Sequence, residues 1–179
     1  MKRDYFVFWL LIGSLSAFGQ KDRPYLEKAL KAERWIHSLR IESPQGTTWP
    51  ITPGDTSKVM NLYTGSTGVI LFYLELFQAT QNEQFLEEAK SGADFLLYYL
   101  PEKKFDTEEI GLYTGLAGIC YTLEKVFEAT KAERFSVGAS KYHNLLMSKA
   151  RAIDNAVDWR YTDIVYGASG IGLYLLNSN

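Results

Sequence analysis

The chain has 179 residues, with 19 basic and 21 acidic side chains and a formal net charge of −2 at pH 7. That near-neutral balance provides no basic stripe for nucleic acid, and the length suffices to bury one core. The single cysteine, Cys120, excludes any intramolecular disulfide.

Residues 1–19 carry the pattern of an export signal. Met1-Lys2-Arg3 is a short basic start, Phe6 to Leu15 is an apolar run too short to span a bilayer comfortably, and Ala17 and Gly19 are the small residues before an expected cut ahead of Gln20. An uncleaved membrane anchor is the alternative; a lipid anchor is not expected, because no cysteine stands at the cut. The protein is thus expected to be exported, periplasmic or secreted, and to meet the membrane only through this segment. Residues 20–179 then form the folded part.

Beyond residue 20 two kinds of helix alternate. Residues 25–40 place Leu26, Ala29, Leu30, Ile36 and Leu39 roughly at helical spacing with Lys and Glu between them, which predicts an amphipathic outer helix. A connection over 41–64 holds Pro44, Gly46, Pro50, Pro53 and Gly54, with Trp49 among them. Val69 to Phe77 is apolar nearly all round, the signature of a helix surrounded by protein. Within it Glu75 must reach a cavity or find a partner, because burying it alone is too costly. A turn near Gln81-Asn82 leads to an outer helix over 83–100, with Phe85, Leu86, Ala89, Ala93, Leu96 and Leu97 on its apolar side. The pattern then returns: a connection over 101–114, an inner helix over 119–127, a turn near Lys131-Ala132, an outer helix over 132–149, a connection over 150–166, and an inner helix from Ile171 to Leu176. Twelve Tyr and ten Phe are many for a helical chain, and some of those rings are expected to line a cavity.

The repeat is residue by residue. Leu62-Tyr63-Thr64-Gly65-Ser66-Thr67-Gly68-Val69 returns fifty positions later as Leu112-Tyr113-Thr114-Gly115-Leu116-Ala117-Gly118-Ile119, and a third version follows as Val165-Tyr166-Gly167-Ala168-Ser169-Gly170-Ile171. Phe77, Ala79, Thr80, Glu83, Phe85 and Ala89 recur as Phe127, Ala129, Thr130, Glu133, Phe135 and Ala139. A fixed period of this size means stacked copies of one supersecondary unit. If the inner helices are parallel, the three connections cluster at one end, where binding sites sit on repeat folds. Each glycine pair, three residues apart, lies on one face of the first turn of an inner helix. Gly65 and Gly68, Gly115 and Gly118, and Gly167 and Gly170 either let neighbouring backbone come close or leave helix N–H groups facing a cavity for an anionic or carbonyl-bearing ligand; the two readings are compatible.

These glycine turns, the Thr48-Trp49-Pro50 loop and the Phe85–Leu97 stretch resemble the lanthionine synthetase C-like (LanC-like) family, in its secreted bacterial branch. The resemblance implies an all-α fold: an incomplete α/α toroid with about three hairpins of seven, the front part of a longer protein. It implies an enzyme that adds a cysteine thiol across a dehydrated Ser or Thr of a peptide, using zinc held by two Cys and one His. Those ligands belong to later hairpins of the family. Cys120 is expected in the core and His37 and His143 on outer helices, so no metal is expected on this chain, while zinc is expected in a full-length protein. The family pattern D-x-x-x-G-x-[SA]-G matches Asp163 to Gly170, which implies that Asp163 faces the cavity and assists proton handling, or merely caps the third inner helix. The equivalent positions in the first two repeats are Asn61 and Gly111. Trp49, Tyr63, Thr64, Tyr113, Thr114 and Tyr166 are the cavity-facing candidates for a peptide or small-molecule substrate. Two other functions fit the same turns: a carbohydrate-active α/α toroid stacking sugars on Trp49 and Tyr63, and a non-catalytic exported peptide-binding protein.

Overall fold

A computed structural model describes residues 24–99, 105 and 109–178. The expected export segment, 1–19, lies outside them. The chain order is α1 (Pro24–Ser38), β1 (Ile41–Ser43), β2 (Gly46–Thr48), α2 (Ser66–Thr80), α3 (Glu83–Tyr99), α4 (Leu116–Thr130), α5 (Glu133–Ser148), β3 (Arg151–Ile153), β4 (Ala156–Asp158) and α6 (Ala168–Asn177). The architecture is helical, as the periodicity predicts.

The fifty-residue period reproduces local geometry closely. Helices α2 and α4 both end on a residue in the left-handed conformation, Gln81 (φ 58°) and Lys131 (φ 56°), whose N–H groups bond to the carbonyls of Phe77 and Phe127 at 2.7 Å. In both turns the threonine hydroxyl bonds back to a helix carbonyl, Thr80 to Leu76 and Thr130 to Val126. It also accepts the amide two residues on, from Asn82 and Ala132. These short turns make α2–α3 and α4–α5 tightly packed antiparallel pairs, with α4 lying between α2 and α6. The hairpins therefore run from inner to outer helix.

One core runs through the molecule. Ile70 and Tyr73 of α2, Leu96 of α3, Leu116, Ile119 and Leu123 of α4, Phe135 and Leu146 of α5, and Ile171 and Tyr174 of α6 are all fully buried. Each such side chain contributes about 1.5–3 kcal/mol by leaving water. Helix α1 differs, for it buries no residue fully. Its amphipathic stripe only leans on the core, and polar contacts fasten it: Tyr73 donates to Glu33 of α1 at 3.4 Å, and His37 lies 3.3 Å from Glu88 of α3. Glu75 resolves the question its sequence raised by being exposed to solvent. Its repeat counterpart Lys125 pairs with Glu128 at 2.8 Å.

Two features of the connections are absent from the sequence reading. The loops before the first and third inner helices each fold into a small antiparallel hairpin, β1–β2 and β3–β4, closed by the two-residue turns Pro44-Gln45 and Asp154-Asn155. Asp154 has φ 48°, a conformation that Asp tolerates and that hairpin turns require. A tryptophan directly follows each hairpin, and both are buried: Trp49 is 3 % exposed and Trp159 7 %. This corrects the placement of Trp49 on a cavity wall. Its indole packs on Tyr73, with ring centroids 5.6 Å apart, and its backbone N–H bonds to the Ser66 hydroxyl at 3.1 Å.

Candidate functional site

The three glycine turns lie side by side at one end of the inner helices and are joined through their backbones. Gly65, Gly115 and Gly167 are equivalent, so Tyr63, Tyr113 and Val165 are equivalent as well. The N–H of Tyr63 donates to the carbonyl of Tyr113 at 2.9 Å, and the N–H of Tyr113 donates to the carbonyl of Val165 at 3.2 Å. Each turn thus hands one hydrogen bond to the next. Side chains reinforce the sequence of turns: Leu62 packs where a Cβ on Gly118 would sit, and Leu112 where a Cβ on Gly170 would sit.

The glycines exist because backbone passes over them. A Cβ on Gly65 would lie 2.4 Å from the carbonyl oxygen of Val59, on Gly115 1.8 Å from that of Glu109, and on Gly167 2.2 Å from that of Tyr161. The second glycine of each pair repeats the arrangement, with Gly68 under Leu62, Gly118 under Leu112 and Gly170 under Ile164. In every case the carbonyl comes from six residues upstream. These loop carbonyls take the first helical amides: Ser66 donates to Val59 at 2.9 Å, Leu116 to Glu109 at 2.9 Å and Ala168 to Tyr161 at 2.7 Å. In the second and third repeats the next amide is used too, Ala117 by Ile110 and Ser169 by Thr162. For these five amides the expectation of N–H groups open to an anionic ligand is corrected, because the loop itself takes them. Close packing is what the glycine pairs secure.

Asp163 stands exposed at the third turn. Its Oδ1 accepts the N–H of Val165 at 2.7 Å and of Tyr166 at 2.9 Å. The Tyr166 amide foremost holds the carboxyl below its ordinary range; loss of hydration opposes it, and the Val165 amide adds a lesser lowering. Asn61 performs the same capping in the first repeat, accepting the Thr64 N–H at 2.8 Å. The difference is the second amide. Val165 N–H holds the place from which Tyr63 and Tyr113 reach the next turn, and Asp163 takes it instead. The rings of Tyr161 and Tyr166, which stand two positions before and three after Asp163, lie 6.2 Å apart. Of the other candidates, Tyr63 (72 % exposed) and Tyr166 (47 % exposed) stand in solvent at this end. Thr64 is also exposed, while Tyr113 and Thr114 are half-buried. The Thr114 hydroxyl bonds to the Val165 carbonyl at 3.4 Å, adding to the ladder of turns. The aromatic and carboxylate candidates, Trp49 excepted, therefore do converge on one end.

This arrangement can be set beside known proteins. The family model described as lanthionine synthetase C-like protein matches residues 56–179. The chain belongs to that family. No curated protein matches it. The match begins just upstream of the first glycine turn and takes in all three, so the interlocked turns are the LanC-like part of the chain, and α1 with β1–β2 precede it.

A zinc site needs soft or imidazole ligands gathered at one point. Among the described residues no three His, Cys, Asp or Glu side chains are placed to hold a metal ion. Cys120 lies inside α4 with no exposure, and burial pushes its thiol up to about 12. It is therefore a protonated thiol at neutral pH and neither a ligand nor a nucleophile. His37 is engaged with Glu88, and His143 with Tyr174 at 2.9 Å. The described residues do not fit a zinc site. One consequence is directly measurable: Cys120 should resist iodoacetamide under native conditions and react fully in denaturant, whereas labelling of the folded protein at the rate of a free thiol would contradict the packing of α4.

Proposed function

We propose that this LanC-like protein is a zinc-dependent enzyme that adds thiols to dehydrated Ser or Thr residues of peptides. In this reading the described residues provide the substrate-facing rim and supply no metal ligand. The observation that carries the reading is the position of Asp163, an ionised carboxylate exposed between two tyrosines of the chain where three interlocked helix starts converge. Zinc would supply a thiolate at neutral pH. Asp163, kept charged by two amides, would accept a hydrogen bond from the peptide and so orient it. Its low pKa suits electrostatic positioning better than strong proton abstraction. Tyr63 and Tyr166 would offer aromatic faces to an extended peptide.

We also propose export, on the basic and apolar pattern of residues 1–19. No helix among the described residues is long and apolar enough to cross a membrane.

The test uses the full-length protein with zinc and a peptide bearing one dehydroalanine and one cysteine. Ring closure leaves the mass unchanged and removes the free thiol, so alkylation followed by mass spectrometry reports it. Consumption of the thiol at a rate proportional to enzyme is the expected result. A peptide that keeps its alkylatable thiol after prolonged incubation with the zinc-loaded protein would rule the reading out.

A further inference from the structure

The first and third repeats reach their glycine turns by connections of very different length. Val59 and Tyr161 are equivalent, each six positions before the first glycine, and Trp49 and Trp159 each directly follow a hairpin. A single residue, Arg160, joins Trp159 to Tyr161. It is in the left-handed conformation (φ 68°), and the Tyr161 N–H bonds to the Trp159 carbonyl at 2.8 Å. In the first repeat nine residues, 50–58, join Trp49 to Val59. The third repeat shows that one residue suffices to close this gap. Both ends of the longer connection are tied to the first residue of α2. The Trp49 N–H donates to the Ser66 hydroxyl at 3.1 Å, and the Ser66 N–H donates to the Val59 carbonyl at 2.9 Å. Residues 50–58 are thus a loop standing on the first glycine turn.

The loop is held in shape by its own bonds. The Asp55 N–H reaches the Thr52 carbonyl at 3.0 Å across Pro53 and Gly54, and the turn requires the Gly54 φ of 84°. Asp55 then takes the Ser57 N–H on Oδ1 at 2.8 Å and the Ser57 hydroxyl on Oδ2 at 2.7 Å. Lys58 fastens the far end, its ammonium 5.4 Å from the ring centre of Phe95 and 5.9 Å from that of Tyr99 at the end of α3. From there Lys58, Val59 and Asn61 share a cleft of about 150 Å³ with Glu109, Thr114 and Gly115, so this end of the loop faces the second turn. The side chains from Ile51 to Gly54 and from Thr56 to Lys58 are exposed. An exposed insertion that is dispensable for closing the repeat, yet kept in one shape, is suited to recognition.

Asp55 supplies the chemistry. The Ser57 hydroxyl foremost, then the Ser57 amide, holds its carboxyl below the ordinary range. A carboxylate offers about four lone-pair positions, and Ser57 fills two of them. Lys58, the only cation of the loop, is turned to the Phe95 and Tyr99 rings instead. We propose that the 50–58 loop is a specificity element of the peptide-binding rim, in which Asp55 favours peptides with a basic side chain next to the dehydrated residue. This rests on the reading of the glycine-turn end as a peptide site.

The experiment measures binding with the chemistry switched off. Three fluorescein-labelled peptides each carry one dehydroalanine and no thiol, and differ only in having Lys, Gln or Glu on both sides of it. Fluorescence anisotropy follows their titration with the full-length protein at low ionic strength. The Lys peptide should bind roughly fivefold or more tightly than the Glu peptide, with the Gln peptide between them. Asp55→Asn still offers Oδ1 to the Ser57 amide and its own N–H to the Ser57 hydroxyl, so the loop keeps its shape while losing its charge. It should bring the three peptides to within about twofold of one another. Replacing 50–58 by a single glycine, which takes the φ seen at Arg160 without strain, should weaken all three while leaving the thermal midpoint near that of the wild type. Discrimination that persists in Asp55→Asn, or is missing from the wild type, would overturn the role of the loop alone. If none of the peptides bound the wild type, the peptide-site reading of the rim would fall, and the role of the loop with it.

Discussion

Asp163→Asn should lower the rate of thiol addition by about 10²- to 10³-fold while leaving the thermal midpoint near that of the wild type. The prediction rests on a separation that the first repeat already makes. Asn61 caps its turn through Oδ1 just as Asp163 does, so an asparagine at position 163 can still accept the Val165 and Tyr166 amides. What it removes is the charge. Asp163→Ala removes the acceptor too, and should lower both rate and midpoint. If Asp163→Asn retained the wild-type rate, the carboxylate would be a cap and nothing more. A pH series adds a second readout. The folded-state carboxyl lies below its ordinary value, so its stabilising contribution is in place above the unfolded pKa and fades as the pH falls through the folded one. Asp163→Asn should remove that part of the acid-side dependence.

The largest effect on stability is expected at Gly115. A Cβ there would lie 1.8 Å from the carbonyl oxygen and 1.9 Å from the carbonyl carbon of Glu109. Backbone cannot yield as a flexible side chain does. The loop would have to lift, and with it the bonds from Leu116 to Glu109 at 2.9 Å and from Ala117 to Ile110 at 3.2 Å. The displacement would also reach the third turn, because Gly111 is pressed against the Val165 carbonyl. Gly115→Ala should therefore cost about 3 kcal/mol or more, read as a shift in urea midpoint at constant slope. Gly172→Ala is the matched control. It lies inside α6 with nothing within 4 Å of its Cβ position, and should stabilise by about 0.5–1 kcal/mol, the ordinary helix preference for alanine. Similar destabilisation by both substitutions would mean that the close passage of the loop is not what the glycines serve.

The sequence made the helices legible because their signals are local and repeated. Apolar positions at helical spacing marked α1, α3 and α5, and continuous apolar runs marked α2, α4 and α6. The repeated turn at Gln81 and Lys131 could be placed from the fifty-residue period alone. The connections were harder. Asp154-Asn155 between Ile153 and Ala156-Val157 is a hairpin signal of only two residues, and Pro44-Gln45 is weaker still. The offset of 110 positions that relates Trp49 to Trp159 is obscured, because the second repeat has no tryptophan at the corresponding place. Trp49 reads as a cavity aromatic until its neighbours are known; Tyr73 and Ser66 lie 24 and 17 positions away in sequence, and no local pattern announces that they will enclose it.

By itself, the sequence determined the kind of unit, its period, its family and the recurrence of glycine at six positions, since all of these follow from local spacing and from comparing one stretch with the next. Only the tertiary structure decided what those glycines are for. Whether a helix start faces a ligand or a carbonyl six residues back depends on the path of the loop through space, and that path is set by packing between repeats. The same holds for Asp163. Its match to the family pattern is written in the chain, but the direction of its carboxylate, onto two amides of its own turn, depends on the path that turn takes through space.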